Sequence, residues 1–128
     1  MREIVKRIWR GEYKDISFEI VHWKYAEGED SGIWNYYVYM KKQFLSSNLW
    51  EELWGIGQDD LYQISTVVDN IPIHGGITYF GRDIDYQMIK IGCDYNHDMD
   101  SGKRYDEKII YTDVEQTIDY IREKIYNK

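Results

Sequence analysis

Two runs of the chain alternate apolar and polar residues with a period of two, and that rhythm limits the fold more than any other feature. Ile16, Phe18 and Ile20 alternate with Ser17 and Glu19, and the run continues toward Trp23. Beyond the turn-rich stretch Glu27-Gly28-Glu29-Asp30-Ser31-Gly32, Trp34, Tyr36, Val38 and Met40 alternate with Asn35, Tyr37 and Tyr39. Successive side chains of a strand point to opposite faces, so each run buries one face only. The two runs predict a β-hairpin.

Further short β-like runs follow at Gln63 to Val68, Ile77 to Phe80 and Met88 to Cys93, each bounded by Gly, Asp or Pro. Ile109 to Tyr111 reads as an additional edge segment. Two stretches change period. Leu49, Leu53 and Ile56 follow helical spacing between Ser46 or Ser47, which can cap, and Gly55 and Gly57, which terminate. Thr112 with Glu115 matches a capping box. Val114, Ile118, Ile121 and Ile125 then mark one apolar helix face, predicting a C-terminal helix from Thr112 to about Tyr126. Strands followed by a helix at one face imply an α+β fold: one domain over residues 1–128, an antiparallel or mixed sheet, the C-terminal helix packed on it and a short helix in the middle.

Composition narrows the function. A chain of 128 residues with 43% hydrophobic residues can build one core, and it holds no apolar run of about 20 residues to span a bilayer. Met1-Arg2-Glu3-Ile4-Val5-Lys6-Arg7 mixes charge with apolar residues, so no signal peptide is expected. Cys93 is the sole cysteine, which fits a reducing, cytoplasmic setting. The net charge of −7 suits phosphate binding poorly, so direct nucleic-acid contact is not expected. Acidity combined with 13 Tyr and 5 Trp suits a protein partner, since Tyr and Trp are enriched at interfaces.

The chemistry-bearing residues crowd between His74 and Asp100. In Pro72-Ile73-His74-Gly75-Gly76-Ile77-Thr78-Tyr79-Phe80-Gly81, the glycine pair suits positive φ or the close approach of a ligand. His74 beside it can act as acid, base or hydrogen-bond donor. In Ile91-Gly92-Cys93-Asp94-Tyr95-Asn96-His97-Asp98-Met99-Asp100, Asp94, His97, Asp98 and Asp100 offer the ligands a divalent cation needs. The calcium-loop spacing is not met, because Met99 or Ser101 stands where that loop requires glycine. Arg82 and Arg104 are the nearest basic residues for a phosphate or carboxylate. No Walker loop and no G-x-G-x-x-G run occurs. Cys93 sits in a strand pattern beside Ile91 and reads as a buried, inert thiol.

The run His74-Gly75-Gly76-Ile77-Thr78-Tyr79, followed by Gly92, Asp94, His97 and Asp100, resembles a family of small, uncharacterised phage and prophage proteins with the pattern H-G-G-[LI]-T-[YF] … G-x-D-x-x-H-x-x-D. The resemblance covers about a quarter of the chain. Cys93 departs from the usual Phe, and Asn96 and Asp98 replace small residues, which makes this loop the more acidic one.

The resemblance implies a phage or prophage setting more than a reaction. Small accessory proteins of that setting are often counter-defence factors that inhibit restriction or CRISPR nucleases or sequester nucleotide signals, so a counter-defence protein in the host-cell cytoplasm is expected, with a phage housekeeping module carrying a structural His-Gly-Gly turn as a further alternative. The expected partners of a counter-defence protein are a host defence protein or a nucleotide-derived small molecule, with a homo-oligomer left open. In one form, the His74–Thr78 turn and the Asp94–Asp100 loop make a pocket. The backbone N–H groups of Gly75 and Gly76 face phosphate or hydroxyls, Tyr79 or Phe80 stacks on a base, and Arg82 or Arg104 supplies charge. In the other, an acidic, Tyr-rich surface blocks a basic groove on a nuclease. The rival expectation is a small metal-dependent hydrolase in which His74, Asp94, His97 and Asp100 hold a divalent cation that activates water. If the strand from Ile77 pairs antiparallel with the strand ending at Cys93, His74, Asp94 and His97 are expected to converge on one concave site.

Overall fold

Lys14 and Asp15 both adopt positive φ, 49° and 66°. A two-residue turn of this kind matches the twist of two antiparallel strands. In the computed structural model of the chain it joins β1 (Ile4–Tyr13) to β2 (Ile16–Tyr25), which pair without a break in register from Ile4↔Tyr25 to Tyr13↔Ile16. The structure describes residues 4–25, 32–56, 66–95 and 105–126. β3 (Ile33–Lys41) pairs antiparallel with β2, as the alternating runs predict, and β5 (Met88–Asp94) pairs with β3. β4 (Tyr79–Asp83) forms the hairpin with β5 expected for the glycine-flanked segment. The sheet order is β1-β2-β3-β5-β4, antiparallel throughout.

Strand alternation sorts the sheet into two unlike faces. Ile16, Phe18, Ile20, Trp34, Tyr36, Val38, Met40, Phe80, Ile89, Ile91 and Cys93 belong to the buried core. The intervening Glu19, Val21, Tyr37, Tyr39, Tyr79, Lys90 and Asp94 point the other way and are absent from that core. The described helices pack on the first face. α1 (Ser47–Trp54) follows the single 3-10 turn Lys42–Phe44, is capped by Ser46, whose Oγ accepts from Leu49 N at 3.2 Å, and ends at Gly55. It buries Trp50 and Leu53. This is the predicted short helix, with its expected cap and stop.

The C-terminal helix starts one turn and more before the expected boundary. α3 (Glu107–Tyr120) is capped by Asp106, whose carboxylate accepts from Ile109 N at 2.9 Å. Thr112 therefore lies inside the helix and donates to Lys108 O at 3.1 Å, so the expected capping box is not used. Ile109–Tyr111, expected as a strand, is helical for the same reason. Ile110 extends the apolar face backward by one turn, and Ile110, Val114, Ile118 and Ile121 are fully buried. The chain then widens into a π-helical turn, Ile121–Ile125, which carries Tyr126 to the end of the sheet. There its hydroxyl accepts from Lys41 N at 3.2 Å and its ring stacks on Phe44 at 5.0 Å. A second correction concerns Gln63–Val68: α2 (Thr66–Asp69) is a helical turn, and residues 63–65 lie outside the described residues.

None of the described helices is long and apolar enough to cross a membrane. Each fully buried Ile or Val on α3 contributes about 1.5–3 kcal/mol through burial. Ile118 sits at the centre of that face with no exposed surface. Ile118→Ala is expected to cost about 2–5 kcal/mol, measured by urea unfolding with an unchanged m value.

Candidate functional site

The His-Gly-Gly segment is a β-turn. Gly76 N donates to Ile73 O at 3.0 Å, and Gly75 and Gly76 have φ of 69° and 88°. A side chain on Gly76 would meet nothing within 4 Å, so the left-handed backbone, and no close neighbour, is what demands glycine there. The turn is held from below by a chain of hydrogen bonds through the core. Thr117 on α3 donates its only hydroxyl proton to Pro72 O at 2.5 Å. Its Oγ1 therefore accepts from the Tyr36 hydroxyl on β3, 2.8 Å away. The Tyr36 oxygen in turn accepts from His74 N at 3.4 Å. Burial, above all, pushes the Tyr36 phenol far above its ordinary range, so it remains a donor at any physiological pH.

The imidazole of His74 stacks on Tyr95 with ring centres 3.9 Å apart and meets the edge of Tyr105 at 5.9 Å. Tyr95 donates through its hydroxyl to Asp113 on α3. Burial and then that hydrogen bond to a carboxylate raise the Tyr95 phenol far above its usual range. Tyr36, Pro72, His74, Asp113 and Gln116 border a cleft of about 260 Å³. The cleft is smaller than the usual 300–1,000 Å³ of a ligand pocket. Its charged wall is a carboxylate, which repels phosphate.

The expected convergence of His74 with Asp94 does not form. The step from Asp94, the last residue of β5, to Tyr95, whose N–H still bonds Trp34 O, reverses the side-chain direction, so Tyr95 reaches His74 on the helix-covered face while Asp94 faces the other way. There Asp94 accepts from Thr78 Oγ1 at 3.5 Å. His97, Asp98, Asp100 and Arg104 lie outside the described residues, and among the described residues no three His, Cys, Asp or Glu side chains group as metal ligands. Arg82 is directed away from the turn: it donates to Trp54 O at 2.6 Å and lies over the Trp54 ring. Phe80 is buried in the core and offers no ring to a ligand, whereas Tyr79 is 40% exposed. Cys93 is buried as expected, and burial holds its thiol far above the usual range.

A second cluster occupies the face of the sheet that no described helix covers, and beside Tyr79 and Gly92 it holds residues the motif does not contain. The Lys90 ammonium lies 4.4 Å from the ring centre of Tyr37 and 5.4 Å from those of Tyr39 and Tyr79. Glu19 accepts from the Tyr39 hydroxyl at 2.6 Å and pairs with Arg10 at 3.5 Å and Lys90 at 3.9 Å. Burial first, then Tyr79, raises the Tyr37 phenol; burial first, then Glu19, raises that of Tyr39. Gly92 makes the arrangement possible. A Cβ there would stand 2.3 Å from Tyr37 Cδ1 and 2.6 Å from Tyr36 O, so only glycine lets the Tyr37 ring lie flat on the strand. A cleft of about 390 Å³ opens beside Tyr39, Tyr79 and Lys90. The signal for this cluster was present in the alternation itself, which sets Tyr37 and Tyr39 on the face opposite the core, and in Lys90, the one charge within Met88–Cys93.

Two substitutions test these assignments. Thr117→Val leaves the Tyr36 hydroxyl and the Pro72 carbonyl without their partner and is expected to cost about 1–3 kcal/mol in chemical unfolding. Gly92→Ala overpacks the strand and is expected to cost about 1–3 kcal/mol, with loss of the Tyr37 near-ultraviolet dichroism.

No family model, curated protein or solved structure matches the chain.

Proposed function

We propose that this chain is a non-enzymatic binding protein of the phage counter-defence kind, which inhibits a bacterial immune system by covering a surface on one of its proteins. The observation that carries the reading is the one-sided sheet. Helices cover one face, while the other presents Tyr37, Tyr39 and Tyr79 packed around Lys90 and fixed by Glu19. Tyr gives a large contact area at low entropic cost when its ring is already held, and it is enriched at interface centres. The counter-defence setting rests on the His74-to-Asp100 resemblance alone.

Between the two forms of inhibition, the geometry favours protein contact. The cleft at His74 is small and faces Asp113, which suits a nucleotide signal poorly. The uncovered face carries Lys6, Arg10, Lys41 and Lys90 against Glu12, Glu19, Asp83 and Asp94. That balance fits the mixed-charge surface of a protein better than a purely basic nucleic-acid groove would require.

The test is phage plating on bacteria that carry individual defence systems, with and without this protein. The wild-type chain is expected to restore plating against at least one system. Tyr79→Glu/Lys90→Glu is expected to abolish that rescue in a chain that still folds cooperatively, its Tm lowered by loss of the Lys90–Glu19 pair. Rescue that survives the double substitution would refute the open face as the binding surface. Rescue by no defence-system panel would refute the counter-defence setting.

A further inference from the structure

β1 and β4 are the two edges of the sheet, and they differ in kind. β4 has five residues, and Arg82 ties it to the end of α1. β1 has ten residues, mostly exposed, and no described strand pairs with its outer side. The two-residue turn at Lys14-Asp15 makes Tyr13↔Ile16 the closing hydrogen-bonded pair. Because the register is unbroken, hydrogen-bonded pairs then alternate along β1. The N–H and C=O groups of Ile4, Lys6, Ile8, Arg10 and Glu12 therefore point outward, away from β2.

Two features beside this edge identify what would pair with it. β1 carries Lys6, Arg7 and Arg10 against Glu12 alone, in a chain whose net charge is −7. Basic residues on an edge strand oppose pairing with a like edge, which guards against self-association. The same residues attract an acidic strand. Next to the edge, Trp9, Phe18, Ile20 and Tyr111 line a groove of about 500 Å³ between the β1–β2 hairpin and the first turns of α3, where Arg10 and Lys108 outnumber the one acidic lining residue, Glu107. Tyr111 is 38% exposed there, its ring against Phe18 at 5.5 Å.

We infer that β1 takes up an acidic, extended segment of a partner protein as a sixth strand, with one of the segment's apolar side chains filling the groove between Trp9 and Tyr111. Main-chain hydrogen bonds along an edge give affinity, and alternate side chains give specificity. The basic side chains Lys6 and Arg10 adjoin the Tyr-lined face, Arg10 through Glu19, but the outward main-chain groups of β1 and the groove at Trp9 and Tyr111 use neither Tyr79 nor Lys90.

The test uses the full chain and two labelled peptides of about ten residues. One alternates Glu with Val and Leu, and its twin has Lys in place of every Glu. Fluorescence anisotropy is expected to show saturable binding of the acidic peptide, weakened by salt, with the Lys twin at least about tenfold weaker. Amide exchange is expected to show new protection at Ile4, Lys6, Ile8, Arg10 and Glu12. Ile8→Pro removes one outward N–H at an edge position that tolerates proline, and is expected to weaken binding without lowering Tm. Should that variant not fold, Lys6→Glu/Arg10→Glu carries the same expectation. Tyr79→Glu/Lys90→Glu is expected to bind the acidic peptide as the wild type does. Equal binding of both peptides, no binding of the acidic one, or protection elsewhere would overturn the inference. So would protection of the same amides by self-association without peptide, which would make the occupant a second copy of this chain.

Discussion

The hydroxyl of Tyr36 ties together the three parts of the molecule that the chain brings from farthest apart. It sits on the central strand, donates to Thr117 on the C-terminal helix and accepts from the backbone of His74. Thr117 passes the connection on to Pro72. In a low-dielectric interior each of these groups would carry a desolvation cost if left unpaired, so the links stand or fall together. The helix cannot slide along the sheet without breaking the bond that holds the turn, and the turn cannot open without exposing Tyr36. This accounts for the Pro72–Gly76 turn as a built element of the core, with its glycines required by backbone conformation.

The same arrangement leaves the molecule two-faced. All the long apolar side chains of β2, β3 and β5 that alternate toward the helices are used in one core. Among the described residues, the opposite face is sealed only by its own side chains. Val21 is 6% exposed there, and Tyr37 lies flat over Gly92. Lys90 and Glu19 are held in place by rings and by each other, which removes part of the entropy cost that a partner would otherwise meet on binding. A face ordered before contact, covered by none of the described helices and rich in tyrosine, is what distinguishes this sheet from one that merely lies against solvent.

Much of the fold was legible where periodicity was strong. The β2–β3 alternation, the Ser46 cap and the Ile118 face were each stated by the residues that now form them. β1 was not legible, because its first half, Ile4 to Ile8, is exposed on both faces and needs no alternation; its Ile-Val, Lys-Arg, Ile-Trp pairs show none. The start of α3 was misplaced because Asp106 and Thr112 both offer a cap, and packing of Ile110 decides between them. For the site, the sequence located the turn and its positive φ but paired His74 with the wrong neighbour. Asp94 and Tyr95 are adjacent in the chain and opposite in the sheet, so the partner of His74 depends on strand phase to a single residue. The Lys90 cluster joins β2, β3, β4 and β5, and only strand register brings its members together.

The central claim is that the protein acts through the uncovered sheet face. Site-specific photo-crosslinking in infected cells tests it most directly, with p-benzoylphenylalanine placed at Tyr79 on that face and, separately, at Glu115 on α3. The account predicts a discrete crosslinked partner, belonging to a bacterial defence system, from position 79 and none from position 115. A partner captured from position 115 and not from 79 would contradict it.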